Sequence, residues 1–124
     1  MGEDKTLIEE TVQIYFDSMH ESDKDKVERA FHPNAMISGH IAGDFSEMDR
    51  NAFGKLVASQ QPSAKEKGEP ARLEIVAIDI AGETAVARVR DDYMGRTFLD
   101  TLSMVKSNDE WVIYNKLYHI EGKA

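Results

Sequence analysis

Two aspartates, Asp91 and Asp100, carry the side chains best suited to proton transfer, and an amide, Asn115, follows at a related spacing. All three fall on the same side-chain parity of three consecutive segments with period-two hydrophobicity. Short turns would therefore set them in a row on one otherwise apolar face. Burying an unpaired carboxylate costs on the order of several kcal/mol, so such a row points to a pocket that hydrogen-bonds a ligand, or to internal partners that satisfy it. Two carboxylates directly opposed on adjacent strands repel, and one then holds its proton more tightly than a free Asp does. That pair is suited to general acid and base work. The plainer alternative is that Asp91 or Asp100 is paired with an arginine, a tyrosine hydroxyl or Asn115 and only fixes the sheet.

The elements that must position these residues can be read from the same pattern. After Pro70 the chain has four runs rich in β-branched residues, about 72–80, 83–93, 97–106 and 111–120, which predict a meander of strands. Gly82-Glu83 and Gly95-Arg96 fit two-residue hairpin loops of type II′. Counting outward from them sets Asp91 opposite Asp100 and Tyr93 opposite Phe98, with Val76 by Val89. The last hairpin is expected to pair Met104 with Trp111 and Asp100 with Asn115. One face then holds Val76, Ala87, Val89, Tyr93, Phe98, Leu102, Met104, Trp111, Ile113 and Leu117, as a core side should. The other carries Arg88, Arg90, Thr101 and Lys116, together with Leu99, Val112, Tyr114 and Tyr118, an apolar patch that suggests cover by a second copy.

Upstream, Ile8, Val12, Tyr15, Phe16 and Met19 recur at helical spacing. A second, short helix is predicted from the Ser22 to Asp25 cap signal up to Pro33, and a third from Ser46 and Asp49 to about Gln60. The glycine-containing stretch 34–45 suits a short bent strand or hairpin. Each helix has one apolar stripe that only the core face of the sheet can receive, which leaves a concave pocket. Its expected lining is Tyr15, Met19, Phe53, Val57, Tyr93, Phe98, Leu102, Trp111 and Asn115. Tyr15 could hydrogen-bond either Asp100 or a ligand, and Trp111 could stack on a ligand ring or simply pack. The polar stretch 62–70 is either a lid or an ordinary connection.

Composition narrows the function. At 124 residues one domain spanning 1–124 is expected. The formal net charge of −8 disfavours nucleic acid and anionic membrane as partners. There is no cysteine, which removes disulfides, thiolate metal sites and thiol catalysis and favours the cytoplasm. His32, His40 and His119 lack ligand spacing, and no phosphate loop or dinucleotide fingerprint occurs, so neither metal nor cofactor is expected. No stretch is apolar enough to be a signal peptide or membrane span. Gly2 followed by Thr6 matches the loose myristoylation pattern, one short enough to arise by chance.

Three stretches carry a family resemblance: Tyr15 to Gly39 (YFDSMHESDKDKVERAFHPNAMISG), the helix DRNAFGKLV, and Phe98 to His119 (FLDTLSMVKSNDEWVIYNKLYH). With them, nearly the whole chain resembles the NTF2-like superfamily, and within it the groups labelled "putative lumazine-binding" and SnoaL-like. The resemblance implies an α+β, cystatin-like cone: three N-terminal helices packed on a strongly curved antiparallel sheet, an internal ligand pocket, and frequent dimerisation through the back of the sheet. It does not fix an activity, because this superfamily includes isomerases, dehydratases, cyclases and non-catalytic binding modules. The expected function is binding of a small organic ligand in the cone, with or without turnover. The alternatives are an isomerase, dehydratase or cyclase using Asp91 or Asp100, and a protein-interaction module using the outer sheet face.

Overall fold

A computed structural model describes residues 2–124. The elements run α1 (Gly2–His20), α2 (Lys24–Ala30), β1 (Phe31–Ile41), β2 (Asp44–Asp49), α3 (Arg50–Ser59), β3 (Leu73–Ala81), β4 (Thr84–Tyr93), β5 (Arg96–Ser107) and β6 (Glu110–Lys123). The strands form one six-stranded sheet in the order β2-β1-β6-β5-β4-β3. Neighbours are antiparallel except β1 and β6, which run parallel and bring the N-terminal hairpin beside the end of the chain.

The helices lie on one face of the sheet because each has a single apolar stripe to bury. Ile8, Val12, Tyr15 and Met19 of α1, Val27 and Ala30 of α2, and Phe53 and Val57 of α3 join Ala87, Val89, Leu102, Met104, Trp111 and Ile113 in one core cluster. The caps fall a little downstream of the sequence signals. Asp23, not Ser22, caps α2 through the amides of Asp25 and Lys26, and Asp49 caps α3 through that of Ala52. Phe31, expected on the second helix, opens β1 instead.

Three departures from the expected register decide which side chains face inward. The β4–β5 turn is Met94-Gly95, both with positive φ (52° and 74°), so Tyr93 pairs with Arg96 rather than Phe98. Positive φ at both central residues is the type I′ pattern, whose twist suits a hairpin, and it moves the register by two residues. Parity survives a shift of two. Asp91 now faces Phe98 and Asp100 faces Val89, which makes the two carboxyls diagonal neighbours on one face rather than direct opposites.

The other two departures are bulges. In β3 the register slips between Ile75 and Ala77, and Val76, expected in the core, is exposed. In β6, Met104 pairs with Ile113 but Ser103 pairs with Asn115, so Tyr114 is the extra residue. An extra residue reverses the facing of everything beyond it. Asn115 and Leu117 therefore turn outward, with Leu117 52% exposed, while Lys116 and Tyr118 turn inward. The expected partner of Asp100, Asn115, is replaced by Tyr118.

Candidate functional site

Asp91 and Asp100 are 1% and 0% exposed, and both project from adjacent strands into the space beneath the helices. Tyr15, placed on the inner stripe of α1, donates its hydroxyl to Asp100 Oδ2 at 2.6 Å. Neither oxygen of Asp91, nor the second oxygen of Asp100, meets a donor from any residue outside the pair. Burial, then the negative charge of Asp100, hold the Asp91 carboxyl well above the ordinary carboxylate range. Lys116 pulls the other way, and a hydrogen bond to Asp100 raises it further. Two carboxyls can share a hydrogen bond only if one keeps its proton, so near neutral pH the pair holds one proton and one negative charge. Burial, with the charge of Asp100 next, likewise drives the Tyr15 phenol well above its usual value and keeps it a donor.

Above this layer stands Lys116, 5% exposed. Its Nζ lies 4.7 Å from the ring centre of Tyr15, 4.8 Å from that of Phe53 and 5.8 Å from that of Tyr118. These are cation–π distances. Tyr118 packs edge-on against Phe98 with ring centres 5.9 Å apart.

Lys116, Phe53, Tyr118 and Phe98 then form one side of a cavity of about 190 Å³, completed by Met19, Ile37, Met48, Leu56, Tyr93 and Arg96. It lies at the mouth of the cone, where the Met94-Gly95 turn forms part of the rim. Burial pushes the Tyr93 phenol up to about 12. The hydroxyls of Tyr93 and Tyr118 are buried without a hydrogen-bond partner among the described residues.

Of the residues expected to line a pocket, Met19, Phe53, Tyr93 and Phe98 surround this cavity. Tyr15 lies under it, joined to the acid pair. Val57 and Leu102 are sealed in the core. Trp111 is also inward and buried, but at the opposite end, where its indole N–H donates to Asp4 Oδ1 at 3.0 Å. Lys106 Nζ reaches the same oxygen at 3.1 Å, and Thr11 Oγ1 donates to the Trp111 carbonyl at 2.8 Å. Trp111 thus pins the start of α1 to the β5–β6 hairpin. The hydrogen bond from Trp111, with Lys106 next, holds the Asp4 carboxyl below its usual range.

Asn115 is on the outer face, away from the cavity. Lys116, Tyr118 and Arg96 were missed, the first two because a one-residue bulge leaves no mark on composition. Strand β6 has apolar residues on both parities, so alternation alone does not say which set faces in.

A larger depression of about 630 Å³ lies at the Trp111 end, bordered by Leu7, Thr11, Arg29, His32, Arg50 and Asn108. It is wider and more open, and none of Lys116, Tyr93 or Tyr118 borders it. The cavity at the mouth, although smaller, is the one backed by unpartnered buried polar groups, and it is the candidate site. Among the described residues no group of three or more His, Asp or Glu is placed to hold a metal ion. No described helix is long and apolar enough to cross a membrane.

A curved sheet closed by three helices around a cone, with its cavity at the wide end, defines the NTF2-like fold, and comparison with solved structures agrees. An NTF-2 like protein from Silicibacter pomeroyi DSS-3 superposes with a TM-score of 0.88 at 24% identity, over 97% of this chain and 98% of that one. An NTF2-like protein from Shewanella baltica OS155 gives 0.86 at 24% identity, over 99% and 98%. The chain belongs to the family described as "Putative lumazine-binding", whose model matches residues 3–119. It is also similar to a Cladobotryum protein named Aldolase FrzH, 23% identical over 109 residues, which are 88% of this chain and 85% of that protein.

Proposed function

We propose that this protein binds a small organic molecule in the cavity at the mouth of its cone. The observation that carries the reading is the convergence of two buried, unpartnered hydroxyls, those of Tyr93 and Tyr118, with the largely buried side chain of Lys116 on the walls of an otherwise aromatic and aliphatic cavity. Leaving a buried polar group unpaired costs on the order of 1–3 kcal/mol, and a ligand that pairs with these groups recovers it. Membership of a family named for lumazine binding supports the same reading. Native mass spectrometry of freshly purified protein is expected to show a retained small molecule. A clean apo mass from several expression hosts would count against it.

A second reading, acid–base catalysis on that molecule, is favoured by the proton-sharing pair. Protonated Asp91 is the acid and the ionised carboxyl of the pair the base, with Tyr15 holding Asp100 in place. The similarity to an aldolase supports this, since aldol chemistry needs a proton removed beside a carbonyl. On this reading Asp100→Asn lowers turnover of an identified substrate by about 100-fold or more while sparing its binding. Unchanged turnover would remove Asp100 from the mechanism.

We also infer that a second copy of the chain covers the outer sheet face. Val76, Val86, Tyr114 and Leu117 are large, apolar and exposed there, with Leu99 and Val112 half-buried beside them. The same face carries both signs of charge, as where Arg90 bridges Glu74 at 3.0 Å and Glu121 at 2.7 Å, which suits a self-complementary interface. Tyr118, expected here from the sequence, has left this face for the cavity. Tyr114→Glu is expected to convert dimer to monomer in light scattering, and a dimer that survives the change would refute this interface.

A further inference from the structure

We infer that the cavity selects an organic anion: a molecule with a flat apolar body and one carboxylate or enolate-type oxygen that pairs with Lys116. The inference rests on the ligand-binding reading above and names its ligand class. Lys116 is more than nine-tenths buried, lines the cavity, and among the described residues makes neither a hydrogen bond nor an ion pair. Rings attract an ammonium, but they accept none of its three N–H donors in the geometry a carboxylate offers. An ammonium set in so apolar a wall gains most from an anion that pairs with it.

The charges around it point the same way. Below Lys116, the Asp91–Asp100 pair carries one negative charge, and Tyr15 and Tyr93 are neutral phenols. On the rim stands Arg96, exposed and without an ion pair among the described residues. The walls therefore carry two cations and no carboxylate, and with the one negative charge lying beneath them a bound monoanion brings the group to neutrality. This is local positive charge in a chain whose formal net charge is −8. Field focusing in a narrow apolar mouth favours entry of an anion there, although the rest of the surface repels one.

Aromatic edges from Phe53, Phe98 and Tyr118 suit a planar body, and about 190 Å³ suits one ring better than two.

The test compares cinnamate with cinnamamide, matched in shape and differing in charge, by calorimetry on the full chain cleared of any co-purified molecule by denaturation and refolding. Wild type is expected to bind cinnamate at least about 10-fold more tightly than the amide, the scale of one desolvated charge-assisted hydrogen bond. Lys116→Met should abolish that preference while leaving amide binding within about threefold, and Lys116→Arg should restore much of it.

Equal binding of the two probes by wild type, or no binding of cinnamate, would overturn the anion inference. So would a preference that survives in Lys116→Met. The retained molecule sought by mass spectrometry judges the binding reading separately, so a neutral retained molecule would sink this inference and leave that reading intact. If Lys116→Met fails to fold, Lys116→Arg against Lys116→Gln gives the same contrast, with loss of preference in Gln alone as the supporting result.

Discussion

Asp91→Asn is expected to stabilise this protein at neutral pH, by on the order of 2–4 kcal/mol, and to remove much of the dependence of its stability on pH. In the unfolded chain Asp91 loses its proton near its ordinary value of 3.8, whereas burial and Asp100 keep it protonated far higher in the native state. Between those two values the native state binds more protons than the unfolded one, so stability falls as pH rises. The stabilising contribution is fully present below about pH 4 and is lost as pH climbs through the folded value. Holding the proton at pH 7 costs about 4 kcal/mol, from roughly three units at 1.36 kcal/mol each.

An amide keeps the shape and the donor of a protonated carboxyl without the titration. Urea midpoints for wild type and Asp91→Asn should therefore diverge at about pH 7 and converge towards about pH 4. A difference that is constant across that range, or a destabilised variant, would show that Asp91 does not carry a shared proton. The cost of keeping an acid here is the kind that active and binding sites commonly retain.

Gly39→Ala should act in the opposite direction, destabilising by on the order of 2–3 kcal/mol. Gly39 on β1 pairs with Tyr118 on β6, and the Tyr118 ring lies across it. A Cβ at Gly39 would sit 2.5 Å from both Cδ1 and Cε1 of that ring and 2.6 Å from the Tyr118 carbonyl oxygen. The ring can swing away, but the carbonyl is backbone of a paired strand and cannot move without disturbing the sheet.

Two readouts follow. Denaturant unfolding should show the loss, and Tyr118→Ala in the same chain should relieve only the part owed to the ring. Ligand affinity should also fall, because a displaced Tyr118 no longer walls the cavity. A Gly39→Ala protein within about 0.5 kcal/mol of wild type would mean that the close approach of β1 to β6 is not essential.

These two sites also show how far the residues alone reach. The inward facing of Asp91 and Asp100, and of Tyr15 beside them, is legible from period and parity, because a register error of two residues changes partners but not faces. The position of Lys116 is not, since the bulge at Tyr114 reverses facing midway along β6. In WVIYNKLYHI, Leu117 and Tyr118 are equally plausible inward residues until the pairing of β6 with β1 is known. That pairing joins residues nearly eighty positions apart (Gly39 and Tyr118), and no local turn sets it. Trp111 illustrates a different gap: its inward parity is correct, but which end of the cone it occupies depends on the reach of α1, and hence on Asp4. The Met94-Gly95 turn escaped because Gly is compatible with either central position of a hairpin turn, and only the positive φ at Met94 separates the two choices.

The amide of Ala124 donates to the Gly95 carbonyl at 3.1 Å, which fastens the residue following β6 to the turn at the cavity's lip. An affinity handle appended after Ala124 would emerge beside the entrance and compete with any incoming molecule, whereas one placed ahead of α1 would leave from the far end, near Asp4 and Trp111. Binding data gathered with handles at the two ends should differ for that reason alone.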